Sequence, residues 1–331
     1  MRKLLTIIGL LFGLGLNAQD IHFTQYEILK TYFNPANTGD FEGDYRISGI
    51  HRNQWRQVSK PYSTFGIGLE KSGFKFLKGL GLGIHLLNDV AGSSNFTTNR
   101  LALNLAYHIP LADSSHQLSI GFSPEFLQQS VNLNNLTFGG QFINNNFNNG
   151  NPSGENATNL SGTKPSLSLG VNYKILLREN SFLKFGGGYF NATNPEVIDG
   201  NASSFLSRYM INIGYQFPIS SNWLLYPNAF YTQQGSYKEI LGGLNAEWIL
   251  RNGKFNYQSI LFGVLHRWED AFAASIGMCY QNWQVGFAYD VNSSSLNVAT
   301  NYRGAYEIGL VYIFSVFNEN HRKFKNCPTY I

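Results

Sequence analysis

Charge is what this sequence has least of. Asp, Glu, Lys and Arg together make up 13% of its 331 residues, against about 25% in an ordinary soluble domain. A cytosolic globule of this length would carry more charge on its surface. Cysteine is also scarce, with Cys279 and Cys327 alone, so a disulfide-dense scaffold is excluded and no Cys or His spacing resembles a zinc site. Beyond the N-terminus no apolar run reaches the roughly 20 residues of a membrane-spanning helix. Basic residues do not gather on one face: the formal charge of +4 comes from Arg2 and Lys3 at the start and from the tail at the end. That argues against a nucleic-acid partner, which requires clustered positive charge. What is present in quantity is aromatic residues, at 15%, and glycine, at 34 positions. So many aromatics argue against disorder.

The first residues carry an address. Met1-Arg2-Lys3 is a basic flank, Leu4 to Leu16 an apolar core too short to span comfortably, and Ala18 a small residue at a cleavable end. These are the parts of a secretory signal peptide, expected over residues 1–18. No cysteine follows the core, so a lipid-anchored start is not indicated. The remainder divides into a periplasmic N-terminal segment at 19–42, a barrel at 43–317 and a basic periplasmic tail at 318–331. The tail sets Arg322, Lys323 and Lys325 against Glu319.

The barrel assignment rests on alternation. Leu101, Leu103, Leu105, Tyr107 and Ile109 are separated by Ala102, Asn104, Ala106 and His108. Trp283, Val285, Phe287, Tyr289 and Val291 are separated by Gln284, Gly286, Ala288 and Asp290. In a strand, such spacing sends one set to each face of the sheet. One face is bulky and aromatic; the other is Gly, Ala, Ser, Asn and isolated charges. A soluble sandwich would show a Lys-, Glu- and Thr-rich outer face instead. Bulky residues toward lipid and small polar ones toward a lumen describe an all-β transmembrane antiparallel barrel. Fourteen such segments run from 43–53 to 303–317, an even number as a single-chain barrel requires. The segment 255–267 fits least well, its period slipping near Ser259, and Pro227 points to a bulge in 221–233.

Connections and aromatics fix the orientation. Tight joins follow even-numbered segments, and the long ones (130–162, 192–203 and 293–302) follow odd-numbered segments. Short periplasmic turns and longer extracellular loops are the outer-membrane arrangement. Tyr107, Tyr173, Tyr215, Trp223, Trp248, Trp283 and Phe314 fall near the periplasmic ends, where amphipathic rings form a girdle.

Little in the sequence points to catalysis, metal or cofactor. No nucleophile elbow or paired-carboxylate signature appears, and the chain is expected not to be an enzyme. A hydrolase would need a Ser–His pair within about 3 Å at the lipid rim. The inward-facing Arg46, Glu125, Lys174, Glu239, Glu247, Asp290 and Glu307 are candidates for a lumen ion-pair network. The run Gly79, Gly81, Gly83 faces the lumen and is no phosphate loop, since no helix follows. Alternation points Cys279 inward, and whether it bonds to Cys327 stays open. The Asn-rich loop 130–162 either binds at the surface or folds into the mouth.

The stretch from Gln19 to Tyr26, then Asn34-Pro35-Ala36 and Gly39, resembles the mature start of PorP/SprF proteins of the type IX secretion system. Arg52-Asn53-Gln54-Trp55 and Pro61-Tyr62 look like that family's next motif, and the Cys327-Pro328 tail is similar. Tyr32-Phe33 departs from it, where smaller aliphatics are expected. The resemblance implies an integral outer-membrane protein of a gliding or secretion apparatus. It would help a cognate secreted, adhesin-like cargo reach or stay at the cell surface, in contact with periplasmic components of the machine. Asn34, Pro35, Ala36, Arg52, Gln54, Trp55, Pro61 and Tyr62 are then either partner contacts or structural. The alternative is a passive or plugged channel for small solutes, its lumen open or blocked by residues 20–42 or the long loop.

Overall fold

A computed structural model describes residues 21–54, 60–74, 76–92, 95–111, 115–132, 139–143, 146–148, 150–152, 160–198, 205–253, 256–294 and 297–315. The leader 1–18, Trp55, the tail 318–331 and Cys327 lie outside them.

Alternation along the chain becomes wall. The first half supplies β1 (Tyr45–Gln54), β2 (Tyr62–Ser72), β3 (Leu80–Ala91), β4 (Phe96–Leu111) and β5 (His116–Val131). A two-residue hairpin, β6 (Phe142–Ile143) and β7 (Asn146–Phe147), then sits within the long loop. The wall resumes with β8 (Leu160–Arg178), β9 (Ser181–Phe190), β10 (Arg208–Ser220), β11 (Trp223–Gln234) and β12 (Tyr237–Gly253). It finishes with β13 (Asn256–Arg267), β14 (Ala271–Tyr280), β15 (Trp283–Asn292) and β16 (Arg303–Phe314). Fourteen of these close into one antiparallel barrel, β6 and β7 standing apart, with the seam formed by β1 on β16. Closure leaves no wall strand with an open edge, the condition for a sheet in hydrocarbon.

Strand β15 shows the physics in miniature. Trp283, Val285, Phe287, Tyr289 and Val291 are exposed on the outside, while Gln284, Gly286, Ala288, Asp290 and Asn292 are buried inside. The same inversion of a soluble protein runs round the wall, with Leu103, Ile211 and Val264 each more than half exposed. The turns at 179–180, 221–222 and 281–282 are two residues long and lie on one rim, and β5, β9 and β15 end at the other. Asn180 and Gln281 adopt positive φ (59° and 53°), as tight hairpin turns require.

Two local expectations change. Pro227 makes no bulge: the register with β10 is the same on either side of it, the pairs opposite Tyr226 and Pro227 are missing, and the shift in that ladder lies further on, between Pro218 and Ser220 of β10. A missing N–H interrupts a ladder without inserting a residue. The irregularity near Ser259 belongs to the neighbouring strand, where the register shifts between Ile249 and Arg251. Strand β13 itself alternates regularly, with Tyr257, Ser259 and Leu261 inward.

The larger correction concerns residues 21–42, expected as a periplasmic segment and, in the channel alternative, as one candidate to block the lumen. They lie inside the barrel. One helical turn, α1 (Lys30–Phe33), leads into a 3₁₀ turn, Pro35–Asn37, and most of the segment is buried. It descends from the end of the lumen nearest the long loops to the short-turn end, where β1 begins. Ile28 and Leu29 join Ile50, Leu87, Val311 and Ile313 of the wall in an apolar cluster.

Candidate functional site

Among the described residues, the buried charges converge in the lumen, around its plug. At the outer end, the backbone N–H groups of Thr24 and Gln25 donate to Glu307 Oε1 and Oε2 at 2.7 and 2.8 Å. The Thr24 hydroxyl donates to Asp290 Oδ1 at 2.7 Å. Arg52 bridges both carboxylates, reaching Asp290 at 2.9 Å, and Arg267 reaches Asp290 at 3.3 Å, Asp270 at 3.1 Å and Glu239 at 3.4 Å. Arg52, Arg267, Asp290 and Glu307 are each 3% exposed or less. Removing an ion from water costs several kcal/mol, so each must be compensated within the cluster (about 3–5 kcal/mol are lost when one partner goes). Here the compensation includes the plug's own backbone.

Midway, Arg46 holds Glu70 at 2.6 Å and donates to the carbonyls of Glu27 and Ile28 at 2.9 and 2.8 Å. It satisfies two carbonyls of the turn that precedes the helix, buried groups that need a donor. The Thr31 hydroxyl and Asn104 Nδ2 meet His85 Nδ1 at 3.1 and 3.0 Å. Because an amide nitrogen can only donate, that ring nitrogen is the acceptor in the contact with Asn104 Nδ2.

Lower down, the Asn34-Pro35-Ala36 motif acquires a physical reading. Asn34 Oδ1 accepts from Ala36 N at 2.9 Å and caps the 3₁₀ turn, with Pro35 at its first position. Asn34 Nδ2 donates to Asn172 Oδ1 at 3.0 Å, and Asn172 Nδ2 donates to Asn37 Oδ1 at 2.9 Å. The turn lies so close to the wall that a Cβ on Gly121 would overlap the backbone of Pro35 and Ala36. Lys184 binds Asn37 at 2.9 Å and Asp40 at 3.0 Å, and Gly39 N donates to Glu70 Oε2 at 3.1 Å. His108 Nε2 meets the Thr38 carbonyl at 2.9 Å, so it carries the proton and Nδ1 accepts from Ser119 at 2.8 Å.

The candidate lumen residues separate into two groups. Arg46, Asp290 and Glu307 hold the plug directly, and Glu239 acts through Arg267. Glu125 pairs with Arg100 at 3.0 Å and accepts from Ser168 at 2.9 Å. Glu247 accepts from Tyr226, Tyr257 and Ser259 at 2.6–2.8 Å, a carboxylate met by hydroxyls. Lys174 makes no ion pair among the described residues; its ammonium lies 4.3 Å from the Phe182 ring. Of the second motif, Arg52 is a buried lumen residue, Gln54 sits 3.3 Å from it, and Pro61 and Tyr62 are half-buried beyond. Glu70, Arg100, Lys184 and Arg267 were missed by sequence reasoning. Their signal was the same as that of the seven found: a charge at an inward position.

The other side of the plug is different. Tyr26 and Phe33 pack on Phe230 of β11, with ring centroids 5.8 and 5.2 Å apart. Two cavities of about 30 and 40 Å³ flank this contact, bordered by Asn212, Asn228, Gln234 and Lys184. Each holds a few waters at most.

On the outer wall, His51 Nε2 lies 3.3 Å from Ser63 Oγ near the outer rim. Among the described residues nothing orients the other ring nitrogen, so the pair lacks the third member that activates a nucleophile. Cys279 is fully buried on the inner face and is disulfide-bonded.

Comparisons agree with this architecture. The family model described as type IX secretion system membrane protein PorP/SprF matches residues 15–312. No curated protein matches the chain. Among solved structures, a FadL homologue from Pseudomonas aeruginosa is similar with a TM-score of 0.51 at 8% identity, over 87% of this chain and 94% of that one. The toluene transporter TbuX from Ralstonia pickettii is similar with a TM-score of 0.50 at 10% identity, over 87% and 94%. At such identities the likeness is one of fold alone.

Proposed function

The chain belongs to the PorP/SprF family of type IX secretion system membrane proteins, and from that premise we propose that it serves as a non-enzymatic outer-membrane partner. It helps a cognate adhesin-like cargo of the secretion or gliding machinery reach the cell surface or remain anchored there. The observation that supports this over a passive pore is the plug: residues 21–42 fill the lumen and are held to the wall at both ends. Recognition would then fall to the outer loops and to the periplasmic rim, where other components of the machine make contact. In this reading the leader is cleaved after Ala18 and the body resides in the outer membrane.

A plugged channel for small solutes is the second reading, favoured by the cavities beside Phe230. Planar-bilayer recording tests whether the plug seals the lumen, and small-solute uptake by liposomes carrying the full chain separates the two readings. The full chain is expected to give no steady conductance, and a variant lacking residues 21–42 to give a persistent open state. Steady conductance from the full chain would favour the channel. Normal surface display of every type IX cargo in a strain lacking the gene would sink the first reading.

A further inference from the structure

The outside of the barrel carries a feature that the plug does not explain. Two cross-strand rows meet at the periplasmic ends of β1, β2 and β3: Tyr45, Lys71, Leu82 and Leu105 in one, and Ile47, Leu69, Ile84 and Leu103 in the next. Between them runs an apolar groove of about 430 Å³ on the lipid-facing surface. Its floor is backbone, because Glu70, Gly83 and Asn104 point their side-chain positions inward. On the opposite side, stacked Trp223 and Trp248 fill the same level.

One charge stands at the groove's periplasmic end. The Lys71 ammonium lies 4.4 Å from the Tyr45 ring centroid and 5.1 Å from that of Phe74. Among the described residues it makes no ion pair. Tyr45 stacks on Phe314, a girdle ring, which puts Lys71 at headgroup depth. The turn after β2 then presents Phe76 (91% exposed), Leu77 and Lys78, an apolar and basic tip suited to the headgroup region.

We propose that this groove is a binding site for one phospholipid of the periplasmic leaflet with an anionic headgroup. The phosphate sits against Lys71, with Lys78 nearby, and an acyl chain lies along Leu69, Ile84, Leu103 and Leu105. Charge complementarity selects the headgroup: a cation fixed between two rings offers its remaining N–H donors to an anion.

Native mass spectrometry of the full chain in detergent, with phosphatidylglycerol and phosphatidylcholine supplied at equal concentration, tests the site. The wild type is expected to retain one phosphatidylglycerol in preference to phosphatidylcholine. Lys71→Gln should lower phosphatidylglycerol retention about fivefold, as for one lysine lost at a membrane surface. Leu103→Trp, which fills the groove, should lower retention of both lipids. Heat-modifiable gel migration confirms that each variant is a closed barrel. Equal retention of the two lipids by the wild type overturns the proposal, as does unchanged phosphatidylglycerol retention in both variants. Wild type that carries no lipid but co-purifies with a periplasmic protein also overturns it.

Discussion

The two sides of the lumen treat the plug differently. From β15 and β16 through β1 to β5 and on to β8 and β9, the wall meets it with charges, amides and a bare glycine surface. At β10 to β12 the contacts are with the plug's rings: Phe230 and Leu241 pack with Tyr26 and Phe33, and the Arg208 guanidinium lies 5.6 Å from the Tyr32 ring centroid, beside two small cavities. The first side fixes position, since directional bonds between buried ions tolerate little displacement. The second fixes only distance, since rings pack without a unique register. A plug held this way is anchored along one flank, and any leak belongs to the other.

The sharpest way to break that contrast is Arg52→Ala. It leaves Asp290 and Glu307 facing each other with one fewer cation, and the expected loss is about 3–5 kcal/mol, read as a lower urea midpoint for refolding into detergent. A midpoint unchanged from wild type would show that the plug needs no clamp. Phe230→Ala attacks the other flank. The ring already borders empty space, so the cost should fall at the low end for a buried phenylalanine, about 3 kcal/mol, and the distinguishing result is a small conductance while Arg52 and Glu307 stay paired. Conductance as large as that of the plug deletion would mean that both flanks hold the plug equally. The smallest effect is expected from Asp270→Asn, because Asp270 is 33% exposed and Arg267 keeps Asp290 and Glu239. A change within about 0.5 kcal/mol is typical of such a partly solvated pair. A larger loss would extend the clamp outward to the β13–β14 turn.

The wall was legible in the sequence because its cause is local: in β15, each residue's environment follows from its neighbours two positions away. The plug was not. Residues 21–42 have no repeating period, and the groups that hold Thr24 lie 266 and 283 residues further along the chain. What the sequence did contain was negative evidence. Glycines at inward positions, such as Gly121 and Gly170, leave room that something must occupy, and here it is the backbone of Pro35 and Ala36 and the side chain of Asn34. The family motif leaves Arg52 as a partner contact or a structural residue; its inward parity in β1, shared with Arg46 and Ser48, places it with the lumen residues.

The clamp also sets an order of events for the newborn chain. Arg52 is made 238 residues before Asp290 and 255 before Glu307. Until β15 and β16 arrive, its guanidinium lacks both carboxylates and the outer end of the leading segment, at Thr24 and Gln25, lacks its clamp. A chain that stops short of its last strands can therefore seat the inner part of its leading segment but not fasten the outer end.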